Sequence, residues 1–134
     1  MTLETAQKLI AAGVAEAEAQ GFKLAFVVVD DGGNVVATAR MDGAPFVSID
    51  IAHGKAWTAA AFRLPSAARG DQAKELVAFS SAISAATHGR YTPQIGALPI
   101  ELDGEHAGAM GASGAQGHED EATVQAALAA VLGS

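Results

Sequence analysis

The sequence predicts a single α+β domain in which helices cover an antiparallel sheet. Its 134 residues are enough for one domain with one core. Two pairs of strand-like runs are each joined by a turn of Asp and Gly residues, which is typical of β-hairpins. The other segments repeat apolar residues at helical spacing. The resulting order is helix, hairpin, helix, helix, hairpin, helix, which favours an antiparallel sheet over a parallel one.

The N-terminal third predicts one helix followed by one hairpin. Apolar residues recur at helical spacing over residues 3–20, Thr2 is a suitable N-cap, and Gly21 is suited to the end of the helix. Residues 24–30 and 34–40 are rich in β-branched side chains and flank a DDGG turn. These two runs therefore predict the first hairpin.

The middle of the chain predicts two helices and an irregular segment. The first spans residues 47–62 and is ended by Leu64–Pro65, because proline cannot continue a helix. The second runs from about Ser66 to Ser81. Residues 82–97 show no regular pattern and are predicted to be irregular.

The C-terminal part predicts a second hairpin and a final helix. Residues 97–113 read ALPIELDGEHAGAMGAS, and the Asp103–Gly104 pair is a strong turn signal between two strand-like runs. The last helix is expected from about Glu119 to Leu132. Its first turn is acidic, as the helix dipole favours.

Composition excludes several classes of function. The chain has 8 basic and 15 acidic residues and a net charge of −7, which disfavours binding to nucleic acid or to an anionic membrane surface. It has no cysteine, so disulfides, thiolate zinc sites and thiol nucleophiles are excluded. No apolar run reaches the ~20 residues of a membrane span, and the N-terminus does not resemble a signal peptide. The sequence therefore predicts a cytoplasmic protein.

The helix over residues 47–62 carries the most reactive group of side chains. Asp50, His53 and Trp57 fall on one arc, at positions i, i+3 and i+7. In this arrangement His53 could transfer a proton or ligate a metal, while Trp57 stacks on a planar ligand. The alternative is structural: Asp50 caps the helix, His53 is solvated, and Trp57 packs in a subunit interface.

Three further residues near this helix have two interpretations each. Lys55 lies in an apolar arc, where it either extends its ammonium to water or binds an anion. Gly54 has poor helix propensity, which indicates close approach of a ligand or a second chain. Arg40 ends a predicted strand and precedes the turn at Asp42; it either binds a ligand carboxylate or pairs with Asp42.

The run GAMGASGAQGHEDE offers backbone N–H groups at a predicted bend and helix N-terminus, with Gly111 and Ser113 as candidate ligand-binding residues. Its glycine spacing fits neither the dinucleotide fingerprint nor the P-loop, and Ser113 lies in no GxSxG elbow. His118 could bind a metal with Glu119 or Glu121, but solvated residues at a helix end are the commoner arrangement. His88 is placed in the irregular segment and His106 on a strand.

Four stretches resemble the GlcG/HbpS family, which includes the C-terminal domain of PduO and is described as haem-binding or haem-degrading. They are LETAQKLIAA, VVVDDGGNVVATARMDGAP, SIDIAHGKAWTAAAF and ALPIELDGEHAGAMGASGAQGHEDE, and the resemblance extends from Leu3 to about Leu132. It implies a profilin-like domain with about five antiparallel strands, assembled into dimers or larger homo-oligomers. It also implies haem or a related small molecule as a ligand.

The chain departs from the family pattern at three places. His53–Gly54 stands where an Ala-Arg pair is expected, Gly96–Ala97 where Gly-Gly is usual, and His106 where valine is usual. Two of these differences add an imidazole. They are compatible with a haem-ligating variant or with an acid–base variant.

Three functional hypotheses follow. In the first, the chain binds haem or another tetrapyrrole, with Trp57 as a wall, His53 as axial ligand, and Arg40 or Lys55 meeting the propionates. The third hypothesis is structural: the helix faces only assemble subunits, and the chain is an accessory scaffold.

The second hypothesis is a cofactor-independent isomerase, lyase or hydrolase acting on a small carboxylated metabolite. Here Arg40 or Lys55 would anchor the carboxylate. His53, helped by Asp50 or Glu119, would transfer a proton.

Overall fold

Two β-hairpins form one antiparallel sheet in the computed structural model, which describes residues 1–133. The strands are β1 Ala25–Asp30, β2 Val35–Arg40, β3 Ala97–Leu102 and β4 Glu105–Ser113. They lie in the order β2-β1-β4-β3, so the hairpins meet through β1 and β4. The α+β class is confirmed, but the expected count of about five strands is wrong: residues 1–133 contain four. The hairpins supply all of them, because residues 87–96, which precede β3, stay irregular.

Local sequence signals set the ends of several elements. The helices are α1 Leu3–Gln20, α2 Val47–Phe62, α3 Gly70–Glu75, α4 Val77–Ala86 and α5 Gly117–Leu132. Thr2 Oγ1 accepts the N–H of Thr5 at 3.1 Å, and Gly21 ends α1 in the left-handed region. Asp103 and Gly104 both have positive φ, as a two-residue hairpin turn of this type requires. The predicted bounds of α1 and α2 are confirmed.

The prediction of a single helix from about Ser66 to Ser81 is wrong. A short 3₁₀ turn at Ser66–Arg69 leads into α3, and the helix breaks at Leu76, whose φ of −111° and ψ of 62° are not helical. Helix α4 then continues beyond Ser81 into the segment predicted to be irregular. Alanine is the best helix former, and three alanines in the last five residues of α4 sustain this extension.

The two faces of the sheet bury different kinds of side chain. On one face, α1 and α5 pack on larger residues that include Phe26, Val28 and Met110. On the other face, α2 packs through alanines on Val27, Val29 and Ala109. This division follows from the alternation of side chains along β1.

Helix α2 lies unusually close to the sheet because β4 has a glycine beneath it. A methyl group on Gly111 would lie 2.5 Å from the carbonyl oxygen of Ala52 and 3.0 Å from the backbone nitrogen of Ala56. Glycine therefore allows the backbone of α2 to rest on the strand. This contact fixes which side of α2 is buried and positions the residues on its other sides.

Helix α4 is the exception to this close packing. It is apolar and uncharged, yet none of its residues is buried. Among the elements of residues 1–133, it packs only on α3. Val77 is 62% exposed and Phe79 is 51% exposed. Within residues 1–133, no helix is both long enough and apolar enough to cross a bilayer.

Candidate functional site

His53 lies half-buried on the outer side of α2. Burial lowers the pKa of His53 below its ordinary value of 6.5, the charge of Arg90 lowers it further, and the charge of Asp50 opposes both. The influence of Asp50 agrees with its predicted position one helical turn away. His53 is therefore a neutral imidazole at neutral pH, with one ring nitrogen free of a proton and able to act as a ligand or base.

Trp57 lies against the turn of the first hairpin. A methyl group on Gly33 would lie 2.8 Å from Cδ1 of the Trp57 indole, and Gly33 has a φ of 81°. The turn therefore needs glycine both for its backbone conformation and for contact with the ring. Trp57 remains half-buried, so part of the indole stays accessible beside His53.

Gly54 contacts the chain's own segment 90–92. Thr58 Oγ1 donates to the carbonyl of Gly54 at 2.8 Å and accepts the N–H of Thr92 at 2.8 Å. A side chain at Gly54 would collide with Thr92. The close approach predicted at Gly54 is therefore present, but its partner is the chain's own segment and not the ligand or second chain that was expected. The same packing brings Arg90 near His53.

Lys55 forms a buried ion pair with Asp120 of α5. Lys55 is 5% exposed, and its Nζ donates to Asp120 Oδ2 and to the carbonyl of Ala112, both at 3.2 Å. Asp120 is 1% exposed, and its Oδ1 accepts the N–H of Ala115 at 3.0 Å. The ammonium thus lies inside the protein, and the interpretation that it extends to water is wrong.

The ionised form of Asp120 is costly despite these partners. Burial raises the pKa of Asp120 above its ordinary value, while the Ala115 N–H and the Lys55 charge act in the opposite direction. The removal of both charges from water explains this balance. Sequence reasoning assigned Asp120 only to the acidic first turn of α5. A lysine in an apolar arc was the one signal that a buried acid should be sought.

Lys55, Ser113 and Asp120 line one cavity of about 360 Å³, whose other walls include Ile51 and Ile95. Space for the lysine depends on Gly96, since a methyl group there would lie 2.6 Å from Lys55 Nζ. The structure thus brings together two predicted ligand-binding residues, Lys55 and Ser113, and adds Asp120 to them.

Arg40 and Asp42 lie in a separate place. Arg40 Nη1 donates to the carbonyl of Ala44 at 2.6 Å, and the ion pairs of residues 1–133 do not include one between Arg40 and Asp42. Both residues line a cavity of about 520 Å³ beside the end of α1, with Phe22 and Lys23 among its walls. This cavity shares no lining residue with the one at Lys55.

The other predicted site residues lie within β4 or at the start of α5. Gly111 lies within β4 under α2, and Ser113 ends that strand, so neither occupies the bend that was expected. Glu119 Oε1 accepts the N–H of Gln116 at 3.2 Å and thereby caps its own helix. His118 is exposed, and no group of three potential metal-binding side chains occurs among residues 1–133.

Comparison with known proteins identifies the family. The model of the family described as haem degrading protein HbpS-like matches residues 1–129. The chain belongs to this family. It is 34% identical over 113 residues to the protein GlcG of Escherichia coli K12, covering 84% of this chain and 81% of GlcG. It is also 34% identical over 128 residues to an uncharacterised 15.0 kDa protein of Citrobacter freundii, covering 96% and 89%.

Solved structures of HbpS-like proteins share the fold. A PduOC:heme complex has a TM-score of 0.87 and 27% identity, covering 98% of this chain and 94% of PduOC. A double mutant of Streptomyces reticuli HbpS has a TM-score of 0.81 and 32% identity, covering 98% and 86%. The resemblance to the GlcG/HbpS family, inferred from four sequence stretches, is confirmed.

The buried pair should show strong energetic coupling. Changing Lys55→Met or Asp120→Leu alone leaves one buried charge unpaired, and we expect each to lower the free energy of unfolding by about 3 to 5 kcal/mol. The double variant leaves no buried charge and should lose less than either single variant. Urea denaturation measures all three. The exposed pair of Lys8 and Glu4 is the matched control, at less than about 1 kcal/mol. Additive losses at Lys55 and Asp120 would contradict the coupling.

The charges around His53 should be measurable by NMR titration of its imidazole. We expect the pKa to lie below 6.5, to rise in Arg90→Gln and to fall further in Asp50→Asn. Arg63→Gln, which removes an exposed arginine elsewhere, is the control. Because the folded-state pKa is lowered, the unfolded chain takes up the proton first as pH falls through 6.5. The free energy of unfolding should therefore decrease over that window, and His53→Gln should remove this contribution. An unchanged pKa in Arg90→Gln would contradict the assignment.

Proposed function

We propose that this chain binds a haem-type tetrapyrrole on the outer side of α2, with His53 as the axial ligand. The observation that carries the proposal is the likeness of the whole chain to PduOC, whose structure is that of a haem complex. The family description also refers to haem. Bound haem would supply an iron centre with an open coordination position for this imidazole.

The side chains around His53 fit such a ligand. Its lowered pKa leaves the imidazole neutral, which is the form that coordinates iron. Trp57 follows one turn later on the same side of α2, and Phe46, seven residues before His53, is largely exposed on that side. Two aromatic rings beside an imidazole are suited to the face of a flat apolar macrocycle.

Arg90 is the best-placed cation for a propionate. Its charge acts on His53, whereas Lys55 is held by Asp120 and Arg40 lines a cavity without α2 residues. We therefore assign to Arg90 the role that the sequence had offered to Arg40 or Lys55. A guanidinium can bind a carboxylate through two parallel hydrogen bonds.

We also infer that the chain forms a homo-oligomer through α4. The exposed apolar side chains of Val77 and Phe79 are of the kind that interfaces bury. The chain carries a net charge of −7, but residues 76–87 contain no charged side chain. Two copies can therefore meet along α4 without like-charge repulsion, which supports a second copy as the partner.

Haem titration tests the ligand and its axial residue together. We expect a saturable shift of the Soret band with the wild-type chain and an affinity at least about tenfold weaker in His53→Ala, because coordination to iron is lost. His118→Ala removes an exposed histidine elsewhere and should leave the titration unchanged. Equal spectra for His53→Ala and wild type would refute the axial role, and the lack of any Soret shift would refute haem binding.

Light scattering coupled to size-exclusion chromatography tests the oligomer. The wild-type chain should elute with at least twice the mass of one chain. Val77→Asp and Phe79→Asp should shift it to monomer, because each places a charge in the apolar contact. Leu3→Asp changes an exposed apolar residue on α1 and should keep the wild-type mass. A monomeric wild type, or an unchanged mass in both α4 variants, would count against the interface.

A further inference from the structure

The cavity lined by Lys55, Ser113 and Asp120 lies on a different side of α2 from His53. Ile51 and Lys55 are each two positions from His53, so at about 100° per residue both point away from it. The proposed haem surface therefore does not include this cavity. The side chains that line the cavity come from α2, the end of β4, the start of α5 and the segment before β3.

Two hydrogen-bond donors of this cavity have no acceptor among residues 1–133. Lys55 Nζ carries three protons, and the described residues accept two of them. Ser113 is 7% exposed, and its hydroxyl has no hydrogen-bond partner among residues 1–133. Both oxygens of Asp120 are already engaged, one by Lys55 and one by the N–H of Ala115. The cavity thus offers a spare ammonium N–H and a spare hydroxyl to an acceptor.

The start of α5 adds to this preference. Gly117, its first residue, lines the cavity, and the N–H of a first helical residue has no partner within the helix. The N–H of Glu119 is already accepted by the Gln116 side chain. The positive end of the helix dipole favours a negative group at this position. Gly117 packs directly under Ile95, where any side chain would collide. This contact keeps the helix start at the edge of the cavity.

The charge and the volume of the cavity indicate which class of ligand it can bind. The ion pair of Lys55 and Asp120 has no net charge. The helix end and the spare polar donors can therefore stabilise a ligand that carries one negative charge better than a ligand that carries two. A volume of about 360 Å³ is suited to a small molecule, and Ile51 and Ile95 supply apolar walls for a carbon skeleton. These properties favour a small organic monocarboxylate over a phosphate dianion or a macrocycle.

We propose that this cavity binds the carboxylate of a small organic acid through the Lys55 ammonium and the Ser113 hydroxyl. A bound ligand would place a second carboxylate beside the Lys55 ammonium, which already pairs with Asp120. Burial already raises the pKa of Asp120, the Ala115 N–H and Lys55 oppose this shift, and the charge of Glu119 adds to it. A bound anion beside Asp120 would raise its pKa further. Carboxylate binding should consequently be accompanied by proton uptake and should strengthen as the pH is lowered towards the folded-state pKa of Asp120.

Amide NMR titration with sodium acetate tests the site, with sodium chloride as the ionic control and sodium phosphate as the dianion. We expect saturable shifts at Ala115 and Gly117 with acetate. Ser113→Ala should weaken acetate binding by about fivefold, the equivalent of one hydrogen bond of ~1 kcal/mol. Gln7→Ala removes an exposed polar side chain on α1, away from both proposed sites and the proposed interface, and should leave the affinity unchanged.

The double variant Lys55→Met with Asp120→Leu removes the anchor without leaving an unpaired charge, and it should abolish the acetate shifts. Four results would overturn the proposal: no saturable shift with acetate, the same shifts with chloride, tighter binding of phosphate than of acetate, or equal acetate affinity in Ser113→Ala and wild type. Haem titration of Ser113→Ala should match wild type, so this experiment fails or succeeds independently of the haem proposal.

Discussion

The close contact between α2 and β4 is the constraint on which the rest of the structure depends. Gly111 has no side chain, and the residues of α2 above it are alanines, so the helix backbone rests almost directly on the strand. At this distance α2 has little freedom to rotate about its axis, because any other side would bring a larger residue against the sheet. The contact therefore fixes Lys55 towards α5 and His53 towards the segment that contains Arg90.

The ion pair between Lys55 and Asp120 follows from this geometry but adds little stability. Two charges removed from water recover the cost of burial only through very good partners, and the raised pKa of Asp120 shows that burial outweighs them. The pair also joins residues separated by 65 positions. The ion pair favours one packing of α5 over others, because an alternative packing would leave the Lys55 ammonium buried without its counter-ion.

The parts of the fold that the sequence predicts are those determined by neighbouring residues. Thr2 and Gly21 set the ends of α1 through local hydrogen bonds, and Asp103–Gly104 determines a hairpin turn by its own backbone conformation. The break at Leu76 could not be predicted, since leucine is a good helix former and neither glycine nor proline lies there. Leu76 is 48% exposed, and among the elements of residues 1–133 α4 packs only on α3, so packing does not explain this break either.

The sequence predicts which types of residue the candidate site contains, but it does not predict how they are arranged. His53 was identified because it is chemically able and departs from the family pattern, and Asp50 is where helical spacing places it. Arg90 and Thr92 were missed because they lie more than 30 positions along the chain and return to α2 through an irregular segment. The sequence shows Asp120 as an acid in the first turn of a helix. Its partner can be recognised only from the fold, which brings the start of α5 within reach of the Lys55 side chain.

The two sides of α2 differ in the charge state that each environment favours, and this difference separates their chemistry. Around His53, burial and the charge of Arg90 favour a neutral imidazole, which is the state that donates a lone pair. Around Lys55, the ammonium is paired with the Asp120 carboxylate. A carboxylate in the cavity would compete with Asp120 for that cation, and Asp120 belongs to the first turn of α5. Occupancy of the cavity would therefore act on the ion pair that joins α2 to α5, whereas a ligand at His53 would act on the segment that contains Arg90.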